Sequence, residues 1–243
     1  MIGSRPSFFV GLIAIATSVP CHAAVIVAYD TTNPNFATTN APAPNLPAAD
    51  EAPGVTALDL ARGPGVTPAS GIAFNSSGWS TSSNVNIGSG DYISWGWSSS
   101  PAYDLEALFI EYDVSDSGPR QLVITAQFND DAPLTVFTDA SISVGDEELE
   151  LDLTAFDAIT SAEFRLFGFD AGSAGGTLDI ERYDLDPNDF APFPDRGIIL
   201  TGDLTAVPEP TSLLAMAVLG SAWTIRRRSA RGVDRSRSDA RNG

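Results

Sequence analysis

The 243 residues carry 31 acidic and 13 basic side chains, a formal net charge of −18, and every basic residue is arginine. The imbalance is polarised: residues 24–208 hold 28 Asp and Glu against five Arg, whereas residues 226–243 hold seven Arg against two Asp. An acidic body of this kind is repelled by phosphate backbones, which excludes nucleic acid as a partner of the folded part. Its excess carboxylate serves solubility and resists edge-to-edge aggregation, and it attracts hard cations such as Ca²⁺.

Residues 1–23 combine a basic start at Arg5, an apolar run over 8–16 and a small-residue exit at Pro20-Cys21-His22-Ala23. That is the three-part pattern of a secretory signal peptide cleaved after Ala23, which implies export through the translocon and processing by signal peptidase. Cys21 and His22 are the only Cys and His in the chain. Cleavage would therefore leave no disulfide, no Cys/His zinc site and no Ser-His or Cys-His nucleophile pair. The absence of Lys removes the Ser-Lys variant as well.

Residues 24–29 (AVIVAY) are β-branched and predict a first strand. Five prolines between residues 32 and 54 predict a long loop, so residues 24–70 read as a strand and a Pro/Ala-rich loop belonging to or flanking the main domain. Residues 55–71 are expected to hold no more than a short edge strand or a turn. From residue 71 to 206 a period of two dominates. Ile93, Trp95 and Trp97 alternate with Tyr92, Ser94 and Gly96; Leu108, Ile110, Tyr112 and Val114 alternate with Glu111 and Asp113.

Ser117-Gly118-Pro119 is a turn signal, so residues 105–114 and 121–128 are expected to pair as a hairpin. Short strands are expected at 72–74, 79–80, 134–138 and 141–144. Leu149, Leu151 and Leu153 alternate with Glu148, Glu150 and Asp152, a half-buried strand. Strands at 163–169, 177–185 and 198–204 close the series. The expected fold is all-β: an antiparallel β-sandwich or jelly roll of two sheets, with an N-terminal signal helix and a short C-terminal transmembrane helix.

The C-terminal stretch has a distinct grammar. Val207, Pro208, Glu209 and Pro210 precede an apolar run over 213–225, which is followed by Arg226, Arg227 and Arg228 and an Arg-rich tail over 229–243. At about 1.5 Å per residue the run spans roughly 20 Å, short of the ~30 Å hydrocarbon core, so any anchor it forms is marginal. The arginines hold its far end in the cytoplasm, and the prolines keep the preceding segment extended, in the form a protease or transpeptidase binds.

This arrangement resembles the PEP-CTERM sorting signal of exported bacterial proteins, apart from the extra tail over 229–243. The resemblance implies that an exosortase-like membrane enzyme recognises 207–228 and removes the span. The protein would then be anchored transiently in the inner membrane and released to the cell surface or extracellular matrix of an exopolysaccharide-producing bacterium. The body is also loosely similar to galactose-binding-type jelly rolls, a likeness of strand pattern that transfers no binding residue.

The leading expectation is therefore a non-enzymatic surface or matrix protein with no catalytic residues, no resident metal and no cofactor. The alternative is a carbohydrate-binding jelly-roll module acting on exopolysaccharide; a weaker one is a carboxylate-based glycosidase. Trp95 and Trp97 share a face with Ile93 and are assigned to the core. Trp79 and Tyr92 are the candidate exposed aromatics for sugar contact. Acids in the predicted turns, Asp130, Asp131, Asp146, Asp184, Asp186 and Asp189, match no spaced calcium loop and read as solvated turn chemistry.

Overall fold

Alternation along one long strand sets the architecture. The structure, a computed structural model, describes residues 24–31, 45–70, 73–181 and 196–205. Within them thirteen strands run in chain order: β1 (Ala24–Tyr29), β2 (Asn45–Leu46), β3 (Asp50–Glu51), β4 (Val55–Arg62), β5 (Thr67–Pro68), β6 (Phe74–Ser77), β7 (Tyr92–Val114), β8 (Gln121–Phe128), β9 (Leu134–Asp139), β10 (Gly145–Asp152), β11 (Ile159–Phe169), β12 (Leu178–Ile180) and β13 (Ile198–Leu204). All their pairings are antiparallel. The fold is all-β, as the alternation predicts.

The two runs expected near 91–98 and 105–114 form one continuous strand, β7, which serves both sheets. Its first half pairs with β4 and β11, giving a first sheet in the order β2-β4-β7-β11-β8-β9. Its second half pairs with β13 on one side and β10 on the other, giving β3-β1-β13-β7-β10; the short β12 continues the β13 side and carries β6 and β5. Ile93, Trp95 and Trp97 from the first half join Leu108, Ile110, Tyr112 and Val114 from the second in one buried apolar cluster. Within it Trp95 stacks on Phe164 of β11, with centroids 5.7 Å apart and planes at 9°, and Trp97 meets Tyr103 edge-on at 5.5 Å.

Three expectations change. Residues 55–62 form an eight-residue strand inside the first sheet, because a bulge between Leu58 and Ala61 breaks the alternation and turns Leu60 into the core. The Tyr29 hydroxyl fixes this bulge by donating to the Leu58 carbonyl and accepting the Gly96 N–H at 3.4 Å. Burial holds that phenol above its ordinary pKa, so it remains a donor.

The expected hairpin between 105–114 and 121–128 does not form. The Ser117-Gly118-Pro119 turn carries the chain from one sheet to the other, and β8 pairs with β9 and β11 instead. Residues 79–80 and 141–144 are not strands, whereas β10 and β13 lie close to where the alternation places them.

The expected signal helix at 1–23, residues 32–44 of the loop expected over 32–54, the sorting motif at 207–210, the apolar run at 213–225 and the arginines at 226–228 lie outside the described residues; the rest of that expected loop carries the two-residue strands β2 and β3, which pair with β4 and β1. Among the described residues no helix is long and apolar enough to cross a membrane.

Candidate functional site

Because Ile93, Trp95 and Trp97 point inward, their neighbours on β7 point to the outer face of the first sheet, and cross-strand register carries this over to β11 and β8. Three rows result: Tyr92-Phe167-Val123, Ser94-Arg165-Thr125 and Gly96-Glu163-Gln127. Side chains opposed in this way share a face with Cβ atoms about 5 Å apart, so the register alone brings Arg165, Glu163, Thr125 and Gln127 together.

At their centre is a small pocket of about 80 Å³ lined by Ile87, Thr125, Gln127, Pro133, Glu163, Arg165 and Phe167. Ile87 comes from the loop over 78–91, which is tied down where Asp170 N–H donates to Ser82 O and Ala171 N–H to Ser80 O, each at 3.0 Å. Phe167 and Phe169 stack on this face at 6.2 Å and are buried with Val123 and the half-buried Tyr92. Arg165 Nε donates to Glu163 Oε1 at 2.7 Å, and both side chains stay partly exposed, at 40% and 35%. The pocket therefore offers apolar walls, two amide or hydroxyl groups and one mutually oriented charged pair.

The two aromatic candidates fare differently. Trp79 is buried, with 1% of its surface exposed, and donates its indole N–H to Ser76 O at 2.8 Å. It packs so close under β11 that a Cβ on Gly168 would come within 2.8 Å of its ring. It is core and cannot present a ring to a sugar. Nothing in the sequence signals this, because residues 78–80 lie outside any strand and have no alternation to read.

Tyr92 lies on the outer face but is held on several sides. Its ring centroid is 5.5 Å from that of Phe167, the Arg165 guanidinium sits 4.9 Å from its centroid, and a Cβ on Gly63 would come within 2.9 Å of it. It steadies Arg165 more than it offers an open platform.

The second sheet carries a different cluster. Asp113 of β7 lies opposite Asp179 of β12 on one side and Asp146 of β10 on the other. Carboxylate oxygens of Asp113, Asp179 and Glu181 lie within 4.8 Å of one another. Burial first, then repulsion from Glu181 and Asp113, pushes the Asp179 carboxyl up to about 7 against the pull of Arg62. Glu181 is raised by burial, Asp113 and Asp146. The acids flagged in turns divide: Asp146 joins this cluster, Asp130 and Asp131 remain in the turn after β8, and Asp184, Asp186 and Asp189 lie outside the described residues.

No family model matches the chain, and no curated protein matches it. Among solved structures the chain is similar to carbohydrate-binding modules of family 29. One such module matches at 16% identity over 79% of this chain and 99% of its own, with a TM-score of 0.36. Another, solved with mannohexaose, matches at 16% identity over 65% and 87%, with a TM-score of 0.35. Superpositions this loose transfer no residue correspondence.

Proposed function

We propose that this is a non-enzymatic exported protein that binds carbohydrate on the outer face of its first sheet and is sorted to the cell surface by its C-terminal segment. The observation that carries the binding reading is the Arg165-Glu163 pair, fixed against Tyr92 and bordering a pocket with Thr125, Gln127, Phe167 and Ile87. A few oriented polar groups beside apolar walls suit a sugar, whose hydroxyls need donors and acceptors while its C–H faces need apolar contact.

The pocket lining holds one carboxylate, Glu163, and its partner is an arginine. Glycoside hydrolysis by the usual route needs two carboxyl groups flanking the bond. This supports binding over turnover.

A glycan array probed with the exported chain, followed by calorimetry on the retained polysaccharide, tests the reading. Arg165→Ala is expected to weaken binding at least about tenfold, a loss of about 1.4 kcal/mol, while Glu150→Gln, exposed on β10 of the second sheet, leaves it unchanged. Equal affinity in Arg165→Ala and the parent, or no retention of any glycan, would overturn it.

The sorting reading rests on Val207, Pro208, Glu209 and Pro210, the short apolar run and Arg226 to Arg228. An exosortase-like enzyme acting there would release the body from a marginal anchor. Intact-mass analysis of surface-released protein is expected to show loss of residues 213–243 and of 1–23; a released product retaining the full tail would contradict it.

A further inference from the structure

The acidic cluster of the second sheet includes a neutral member with unmet bonding capacity. Asn75 of β6 is paired directly with Asp179 of β12, which is paired with Asp113 of β7, itself paired with Asp146 of β10. Residues opposed across adjacent antiparallel strands share a face, so Asn75, Asp179, Asp113 and Asp146 form one row across four strands.

Asn75 is only 7% exposed. Its amide Nδ2 donates to Ser70 O at 2.8 Å, while its Oδ1 is buried and accepts no hydrogen bond from the described residues. Asp179 Oδ1 is likewise buried without a donor among the described residues. A buried acceptor left unmet is costly, and here the neighbouring groups on the row are carboxylates, which when ionised only accept.

Among the described residues, a cation beside the row is Arg62. It donates through Nε to Ser76 Oγ and through Nη2 to Asn75 O, each at 2.8 Å, and its guanidinium carbon lies 3.6 Å from the Phe74 ring centroid. These contacts direct two of its nitrogens to the strand of β6, and its attraction for Asp179 only partly offsets the crowding there.

We propose that Asp113, Asp179 and Glu181, together with the Asn75 amide oxygen, bind a divalent cation of the calcium class. Oxygens held at 2.3–2.6 Å from one Ca²⁺ can be no more than about 5 Å apart, and the three carboxylates meet that limit at 4.8 Å. An amide carbonyl is an ordinary calcium ligand, and the ion would meet the Asn75 and Asp179 acceptors at once. Ligands from β7, β12 and the residue after it would clamp the three-residue β12 to the long strand. The site lies on the other sheet from the pocket, so it stands or falls independently of carbohydrate binding.

The test is calorimetric titration of the full chain, purified in detergent and stripped with chelator, using CaCl₂ alone and then MgCl₂ alone. One saturable site is expected for Ca²⁺, half-filled at about 0.1–1 mM as in extracellular calcium modules, with Mg²⁺ at least about tenfold weaker because it demands stricter octahedral geometry. Asp179→Asn removes one carboxylate from a crowded row and should fold; it is expected to weaken Ca²⁺ about tenfold or more, as is Asn75→Ala to a smaller extent. Asp130→Asn should bind as the parent does. No saturable Ca²⁺ heat in the parent chain, or equal affinity in Asp179→Asn, would overturn the proposal. The parent titration decides by itself if a variant fails to fold.

Discussion

Trp95→Ala is expected to lower the unfolding free energy by about 3–5 kcal/mol, the usual cost of removing a buried Trp or Phe ring. Trp95 is 1% exposed, stacks on Phe164 and sits in the middle of the cluster shared by both sheets. Against a total stability of roughly 5–15 kcal/mol that loss brings the domain close to unfolding. Trp95→Phe should cost far less, under about 1.5 kcal/mol, because the indole N–H it removes is buried without an acceptor among the described residues. The lost area is offset by relief of that unmet donor. Denaturant unfolding followed by circular dichroism checks both; an Ala and a Phe variant of equal stability would refute the packing account.

Gly96→Ala is expected to cost about 3 kcal/mol, at the upper end of overpacking substitutions. A Cβ at Gly96 would lie 2.1 Å from the Ala162 carbonyl oxygen and 3.0 Å from the Glu163 Cα, both backbone atoms of β11. A flexible side chain could swing away, but here the strands themselves must separate. The Gly96 N–H also donates to the Tyr29 hydroxyl that holds the β4 bulge, so displacement would spread to β1 and β4. Ser94→Ala, two residues earlier on the same half-buried face, should stay within about 0.5 kcal/mol of the parent. Thermal unfolding of the pair provides the comparison, and equal melting temperatures would show that the strands accommodate the methyl group.

The strands that alternate cleanly were legible without coordinates. Along β10, and in the Tyr92–Trp97 part of β7, inward apolar residues recur at every second position, and a chain with that period can bury one face only as a strand. The assignment of Trp95 and Trp97 to the core follows from the same reasoning, since they share parity with Ile93. Where the period is broken the reading fails. The β4 bulge shifts parity between Leu58 and Ala61, and Trp79 follows a Gly in a segment with no alternation, so neither its burial nor its bond to Ser76 has a local signal.

The candidate sites show the same limit more sharply. Tyr92 was visible as an outward aromatic, but its packing against Phe167 and Arg165 joins positions 73 or more residues apart. Asn75, Asp113 and the pair Asp179 and Glu181 are similarly scattered, and among 31 acidic residues no spacing singles out the three carboxylates, Asp113, Asp179 and Glu181, that converge.

By itself, then, the sequence determined the all-β class, the inward parity of the main strands, the acidic body and the grammar of the C-terminal segment. Each of these is a property of neighbours along the chain, where side-chain direction and charge are fixed locally. Only the tertiary structure decided that β7 serves both sheets, that β8 pairs with β9 and β11, and which polar residues share a face. Strand partners are chosen by burial of the whole apolar cluster, a condition that no single segment carries.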